Sequence, residues 1–332
     1  MLRGADAARA DFSQSANIIV PSPRVWRRRQ SPLRGFSAIA VEPPMSLQWF
    51  PGHMAKARRE LAALMPSQDV IIEVLDARMP ASSHNPFVTE LRANKPCIKV
   101  LTKSDLADAT VTRAWQRALE ITAPTDPDRG AVYAIAITTE RPGETRARIA
   151  ELCERIGGAR KGQAVRALIA GIPNVGKSTL INTLMNRTVA VVSDRPAITR
   201  EQQRVVLPNG TVVTDSPGLM SPNIALEAAA LKLAFGGAIP ATAVDYETMA
   251  VAVAPYLLAH YAPLLEARFK LGAIPATADA LLNAIGRRRG FLRAGGVVDT
   301  HKAAEVLVHE FRAGTLGRIS LEAPTPRDPV PA

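Results

Sequence analysis

The sequence predicts an α/β domain, a mainly parallel sheet with helices on both faces, followed by an all-α C-terminal domain. Three observations predict it. Short apolar, strand-like runs alternate with helical patterns through the middle of the chain. A glycine-rich loop stands between one such strand and a helix. Beyond about Asn223 the strand signals stop, and Ala, Leu and Glu dominate as far as Gly317. The length of 332 residues suits two domains, or one large domain with an appendage, and a hydrophobic content of 47% is enough for a core, which excludes wholesale disorder.

Residues 1–44 stand apart, with Pro21-Ser-Pro23, Trp26-Arg-Arg-Arg29 and little periodicity. They read as a disordered Arg-rich extension. An over-extended start before Met45 is an alternative, and so is an Arg-rich transit peptide, against which Asp6 and Asp11 count. His53 to Met65 then reads as a basic amphipathic helix after Pro51-Gly52. Strand-like runs follow at Val70–Leu75, Cys97–Leu101, Ala131–Ile137, Val165–Ala170, Arg204–Leu207 and Thr211–Thr214. Helical patterns at Thr110–Ile121 and Arg146–Ile156 fall between the earlier runs, and Asn209-Gly210 marks a hairpin between the last two. The longest uncharged run, Thr248 to Leu265, contains Pro255 and Pro263 and reads as a buried helix broken near a proline, so no membrane segment is expected. The Pro-rich C-terminus reads as a frayed tail.

Charge narrows the class of partner. The chain carries 41 Lys+Arg against 30 Asp+Glu, with a pI near 10.2, which points to a polyanion. Arg outnumbers Lys 32 to 9, which fits phosphate contacts and genomic base composition equally well. The excess sits at the ends: residues 1–44 hold seven Arg and three acids, and residues 286–320 hold seven basic residues and three acids. Two cysteines, Cys97 and Cys153, exclude a disulfide scaffold and a four-cysteine zinc site. The histidines other than His53 show no shared metal-ligand spacing.

The chemistry concentrates in Gly171-Ile-Pro-Asn-Val-Gly176-Lys177-Ser178, which matches G-x-x-x-x-G-K-[ST]. The buried run Ala167–Ala170 precedes it and a helix over Thr179–Asn186 follows, the setting in which backbone N–H groups converge on a β-phosphate. Lys177 supplies a point charge between β- and γ-phosphates, and Ser178 a hydroxyl for Mg²⁺. Asp215-Ser-Pro-Gly218 follows a strand about forty residues later. Asp215 can hold Mg²⁺ through water, and the Gly218 N–H can approach a γ-phosphate. Thr199, in Ala197-Ile-Thr199-Arg200, is the candidate switch threonine for Mg²⁺ and the γ-phosphate. Thr102-Lys103-Ser104-Asp105 ends another strand. Asp105 can accept from guanine N1–H and its 2-amino group, with the Lys103 stem on the base, or Asp105 opens a surface turn as a helix cap. This base reader precedes the phosphate loop, whereas an ordinary GTPase has it last. Moving the chain termini to another loop permits the order, since all the pieces still meet at the strand ends.

In that order the chain resembles the circularly permuted GTPases of the ribosome biogenesis GTPase A family (YlqF/RbgA type). The resemblance covers Met45 to about Leu321. It rests on Gln48-Trp-Phe-Pro-Gly-His-Met-Ala-Lys-Ala-Arg58, Val74-Leu-Asp-Ala-Arg-Met-Pro80, Gly171–Asn182, Asp215–Leu219, Arg287-Arg-Arg-Gly-Phe291 and Glu310–Ser320. It implies a circularly permuted Ras-like P-loop GTPase domain over 45–222, a helical RNA- and ribosome-binding domain over 223–320 and a tail over 321–332. It implies a GTPase of late large-subunit assembly. Its nucleotide contacts would be Thr102, Lys103, Asp105, Asn174, Val175, Gly176, Lys177, Ser178, Thr179, Thr199 and Gly218, and its Mg²⁺ ligands Ser178, Thr199 and Asp215. It further implies a monomer bound to the precursor subunit and its rRNA, in bacterial cytoplasm or, as the alternative, the mitochondrial matrix.

Three departures from the family stand out. The base reader begins with Thr102 in place of Asn, Ala197 replaces the Gly two residues before the switch threonine, and the base loop is indistinct, with Thr138 and Thr139 its best candidates. Leu219 occupies the place where Ras-like enzymes carry a water-orienting Gln. The resemblance assigns water positioning to His53, so that His53, Lys177 and Thr199 are the expected catalytic residues. The other reading of His53 is a helix cap or an RNA contact. Asn174 is implied as a K⁺ contact, or is a turn residue. Asp76 and Arg78 either organise the loop above the sheet or form an internal ion pair. Lys56, Arg58 and Arg59, with Arg287, Arg288, Arg289 and Arg293, are the expected rRNA contacts. Two rival classes remain open: a P-loop ATPase of another process, and a non-hydrolysing rRNA-binding assembly factor.

Overall fold

The computed structural model describes residues 51–120, 130–138, 140–158, 163–185, 204–220, 227–240 and 244–324, with the backbone alone at 51–54 and 227. The expected N-terminal extension and Thr199 lie outside them. Helix α1 (Pro51–Leu64) opens the described chain and leads to β1 (Val70–Asp76). Two short helices follow, α2 (Pro80–Ser83) and α3 (Pro86–Arg92), each with proline in its first turn, where the missing N–H costs nothing. Then come β2 (Cys97–Thr102), α4 (Ala109–Leu119), β3 (Val132–Ala136), α5 (Pro142–Ile156), β4 (Arg166–Ala170) and α6 (Lys177–Met185). Strands β5 (Arg204–Val206) and β6 (Val212–Asp215) complete the sheet. Helices α7 (Glu227–Phe235), α8 (Tyr246–Phe269), α9 (Ala278–Arg289) and α10 (Thr300–Ala313) form the C-terminal part.

The six strands order as β3-β2-β1-β4-β6-β5, parallel except for the edge strand β5. That antiparallel edge is the expected hairpin: Gly210, at φ 83°, donates to the Leu207 carbonyl and closes the turn. Every residue of β1 and β2 is buried, as central parallel strands covered on both faces require. Alternation along β1 divides its side chains between the two faces. Val70, Ile72 and Val74 meet Ile149 and Leu152 of α5 and Leu180 and Ile181 of α6, whereas Ile71 meets Leu61 of α1 and Val88 of α3. A third cluster joins Leu75, Leu101 and Ala134 to Trp115 and Leu119 of α4.

The first apolar cluster runs on through Met79 into Phe235, Leu257, Leu282 and Leu307 of the C-terminal helices. Helix α8 is long and apolar enough to cross a membrane by composition, yet Met249, Ala250, Ala254, Leu257 and Leu265 are buried inside this cluster. It kinks at Tyr261 (φ −132°, ψ 22°), two residues before Pro263, which supplies no N–H and crowds the preceding turn. The C-terminal expectation needs one correction. Leu321 and Glu322, taken as the start of a frayed tail, are buried: Glu322 accepts from the backbone N–H groups of Ala81 and Ser82, and its carbonyl accepts from the Trp115 indole.

Candidate functional site

The strand order places the site. From β1 the chain moves outward to β2 and β3, then returns to β4 on the other side of β1. Loops leaving the carboxyl ends of β1 and β4 therefore diverge, and an open sheet leaves a crevice there. Asp76 ends β1, Thr102 ends β2, Gly171 follows β4 and Asp215 ends β6, so all four motifs open at this one edge.

Backbone conformation shapes the loop Gly171–Ser178. Gly171 (φ 151°) passes so close to β1 that a Cβ would stand 2.7 Å from the Val74 carbonyl oxygen. Gly176 (φ 104°) packs against Thr102, leaving 3.3 Å for a Cβ. Asn174 also takes a positive φ, 58°, and its amide reaches the Ala238 carbonyl at 3.5 Å. Val175 is fully buried. Helix α6 begins at Lys177, so Lys177, Ser178 and Thr179 form the first turn, where backbone N–H groups lack intrahelical partners.

Lys177 curls back over the loop, donating from Nζ to the carbonyls of Gly171 (3.1 Å) and Ile172 (2.7 Å). Burial lowers its amine to about 8, with Asp215 opposing the shift. Burial likewise raises the Asp215 carboxyl to about 6, against the pull of Lys177 and of the Ser216 N–H. The Oδ1 of Asp215 is buried without a hydrogen-bond partner among the described residues. A buried carboxylate oxygen left open has the donor chemistry that a hard divalent cation takes. Gly218 lies against the same loop, where a Cβ would stand 3.0 Å from the Lys177 Nζ and 3.2 Å from the Pro173 ring.

The second wall of the crevice comes from residues 102–105. The Thr102 hydroxyl lies within hydrogen-bonding distance of the carbonyls of Val175 and Leu75 (2.9 Å), sharing its one proton between them. Thr102 thus ties this loop to the phosphate loop from the end of β2. Lys103 (φ 55°) donates to the Asn174 carbonyl at 3.1 Å and to Asp76 Oδ2 at 2.9 Å. Ser104 donates from Oγ to the Ile137 carbonyl at 2.7 Å. It thereby joins the loop to the segment of Thr138, whose neighbour Thr139 lies outside the described residues. Asp105 and Thr138 line one open cleft of about 300 Å³ together with Arg141 and Arg318. The cap of α4 is Asp108, which accepts from the N–H groups of Thr110 and Val111, and not Asp105.

Asp76 and Arg78 serve both of their expected roles at once. Arg78 clasps Asp76 through Nε (3.0 Å) and Nη2 (2.8 Å), and both side chains are fully buried. Burial alone would raise the Asp76 carboxyl, but Arg78 and Lys103 outweigh it and hold that carboxyl below the usual range. Arg78 also donates to the Gly236 carbonyl (2.9 Å) and lies over the Phe311 ring, so the pair links Lys103 to the C-terminal helices.

The remaining candidates scatter. His53 falls in the first turn of α1, but its side chain is outside the described residues. Lys56, Arg58 and Arg59 are exposed on α1, with Arg58 over the Phe87 ring at 4.1 Å. Arg287, Arg288 and Arg289 form the exposed last turn of α9. Arg289 pairs with Glu310 at 2.7 Å and Arg293 with Asp299 at 2.9 Å. Among the described residues, Arg287 and Arg288 have no carboxylate within 4 Å. Sequence reasoning missed Glu73 and Asn85. The acid inside an apolar strand was a signal, as was Asn before Pro, a helix-start pattern.

Residues 166–250 match the family model described as 50S ribosome-binding GTPase. Ribosome biogenesis GTPase A of Priestia megaterium is 38% identical over 290 residues, covering 85% of this chain and 98% of that protein. Mitochondrial ribosome-associated GTPase 1 of mouse is 30% identical over 340 residues, covering 93% and 99%. The crystal structure of GNP-bound YlqF from T. maritima superposes with a TM-score of 0.54 at 28% identity, over 81% of this chain and 98% of that one. These likenesses run through sheet and C-terminal helices alike, along nearly the full length of each relative, and by them the chain belongs to the ribosome biogenesis GTPase A family.

Proposed function

We propose that this protein hydrolyses GTP while bound to a precursor of the large ribosomal subunit, engages its rRNA in the GTP state and leaves it after hydrolysis. One observation carries the reading: Lys177, Asp215, Gly218 and the Thr102–Asp105 loop meet at the crevice that the strand order opens. The Lys177 ammonium and the N–H groups of the first turn of α6 would hold the β- and γ-phosphates, and Asp105 the guanine edge. Ser178, Asp215 and Thr199 would hold Mg²⁺, which supplies charge neutralisation at the transferred phosphoryl group. Leu219 carries no group that can orient water, so His53 is the proposed water-positioning residue. Asn174 is the proposed K⁺ contact. The basic faces of α1 and the end of α9 would lie on rRNA. A monomer in the bacterial cytoplasm fits the bacterial relative, and the mitochondrial matrix is the alternative that the mouse relative supports.

Binding and single-turnover hydrolysis, with GTP and ATP in parallel and with and without precursor subunits, test the reading. The expected result is guanine-selective binding and slow hydrolysis accelerated by subunits. Equal binding of adenine nucleotides favours an ATPase, and undetectable hydrolysis with saturating subunits favours a non-enzymatic assembly factor. A His53→Ala protein should keep GDP affinity and lose hydrolysis, and a wild-type rate with and without subunits removes His53 from the mechanism. An unchanged rate on replacing K⁺ with Na⁺ removes the K⁺ contact.

A further inference from the structure

Asn85 is fully buried, and nothing in its local sequence sends it toward the crevice. Its Oδ1 accepts from the Phe87 N–H and caps α3, while its Nδ2 donates to the carbonyl of Leu219 at 2.6 Å. Its backbone N–H donates to Glu73 Oε1 at 3.1 Å. Glu73 in turn is held by His84 Nδ1 at 2.7 Å and by Lys99 at 3.3 Å. Burial opposes the charge on Glu73, but His84, Lys99 and the Asn85 N–H prevail and hold its carboxyl below the usual range. Asn85 is thus held at its Oδ1 by the Phe87 N–H and at its backbone N–H by Glu73, while its Nδ2 reaches Leu219.

Leu219 is the residue after Gly218. Its own N–H reaches the Gly171 carbonyl at 3.3 Å, and its side chain is buried beside Ala57 and Leu61 of α1 and Val88 of α3. The two peptides that flank Leu219 are thereby held, one by Gly171 and one by Asn85, which restricts the swing of the chain that carries Gly218. The buried Leu219 side chain also belongs to the apolar cluster on which α1, the helix that bears His53, rests.

We infer that Asn85 is a positioning residue for GTP hydrolysis. By holding the Leu219 carbonyl it aims the Gly218 N–H at the γ-phosphate position and sets the seat of α1, so that a buried amide does part of the work left by the missing glutamine. The inference rests on the GTPase reading proposed above. Asn85→Asp keeps an acceptor for the Phe87 N–H but cannot donate to Leu219. Asn85→Ser keeps a cap without adding a charge beside Glu73, and its hydroxyl is too short to reach.

Hydrogen exchange of residues 215–220 in the nucleotide-free protein tests the clasp apart from any nucleotide chemistry. Both variants should exchange faster there while the strands β1 and β2 keep their protection, and unchanged exchange overturns the inference. With nucleotide, single-turnover hydrolysis should fall between about tenfold and a hundredfold, as misplacement of one reacting group does, with GDP affinity within about twofold of wild type. A parallel loss of GDP affinity and of protection throughout the sheet reduces Asn85 to a structural cap and overturns the positioning role. Failure of the wild-type protein to bind guanine nucleotide overturns the GTPase reading instead, which the exchange measurement keeps distinguishable.

Discussion

Lys177 is half-buried and Asp215 buried at the mouth of the crevice, and each resists its charge because of that burial. A carboxyl raised from 3.8 to about 6 by burial makes the folded state the stronger proton binder. The sign is therefore the reverse of a salt-bridged acid: the stability cost is absent below the unfolded value, grows as pH rises from about 4 to about 6, and is complete above that. Asp215→Asn should stabilise the nucleotide-free protein at pH 7.5 by about 1–3 kcal/mol, and the gain should shrink as pH falls toward 4. Urea unfolding at several pH values measures this, and the same variant should lose Mg²⁺-dependent nucleotide binding. Thr102 gives a second test. Thr102→Val keeps the shape of the side chain and removes the hydroxyl between Leu75 and Val175, so stability should drop by about 1 kcal/mol and guanine-nucleotide affinity should weaken.

Elements differ in how openly the sequence declares them. The six strands lie within a residue or two of their predicted runs, because four to seven apolar, β-branched residues between turn signals admit little else. Helices α2 and α3 escaped prediction. They span only four and seven residues, too short for a helical period to show, and each is set by a proline and held by distant partners. Close packing also constrains α9. A Cβ on Gly286 would stand 2.3 Å from Val298 Cγ1, in the turn that carries the chain toward α10. Gly286→Ala should therefore destabilise the protein by about 1–3 kcal/mol in thermal or urea unfolding. Nucleotide affinity should not change, since the substitution is remote from the crevice.

At the scale of the whole molecule, buried polar links join sheet to helices. Arg78 spans from Asp76 to Gly236 and Phe311, and Glu322 returns from the C-terminus to cap α2. Replacing Arg78 by Leu leaves Asp76 buried with Lys103 as its remaining cation, and the expected loss is about 3–5 kcal/mol, measured by chemical denaturation. Arg78→Lys should recover part of it. Charge acts at this scale too. Of the exposed arginines at the end of α9, Arg287 and Arg288 have no carboxylate partner within 4 Å among the described residues, whereas Arg289 is paired with Glu310. The double substitution Arg287→Ala, Arg288→Ala should weaken rRNA binding and reduce the slope of log affinity against log salt by up to about 2. The corresponding change at Arg289 should have less effect on the slope.

The strands, the hairpin at Asn209-Gly210, the phosphate loop with its helix, and the helical character of the C-terminal part were legible in the chain alone. All of these arise from residues within a few positions of one another, where period, turn chemistry and capping act directly. Which distant residues complete the crevice is set by the folded chain. Thr102 meets Val175 across 73 positions, Asn85 meets Leu219 across 134, and Arg78 meets Gly236 across 158. A buried polar group must find a partner within about 3 Å of a fixed direction, and no local pattern encodes where that partner will lie. Sheet order settles it, by turning the chain back between β1 and β4 so that loops remote in sequence open onto the same crevice.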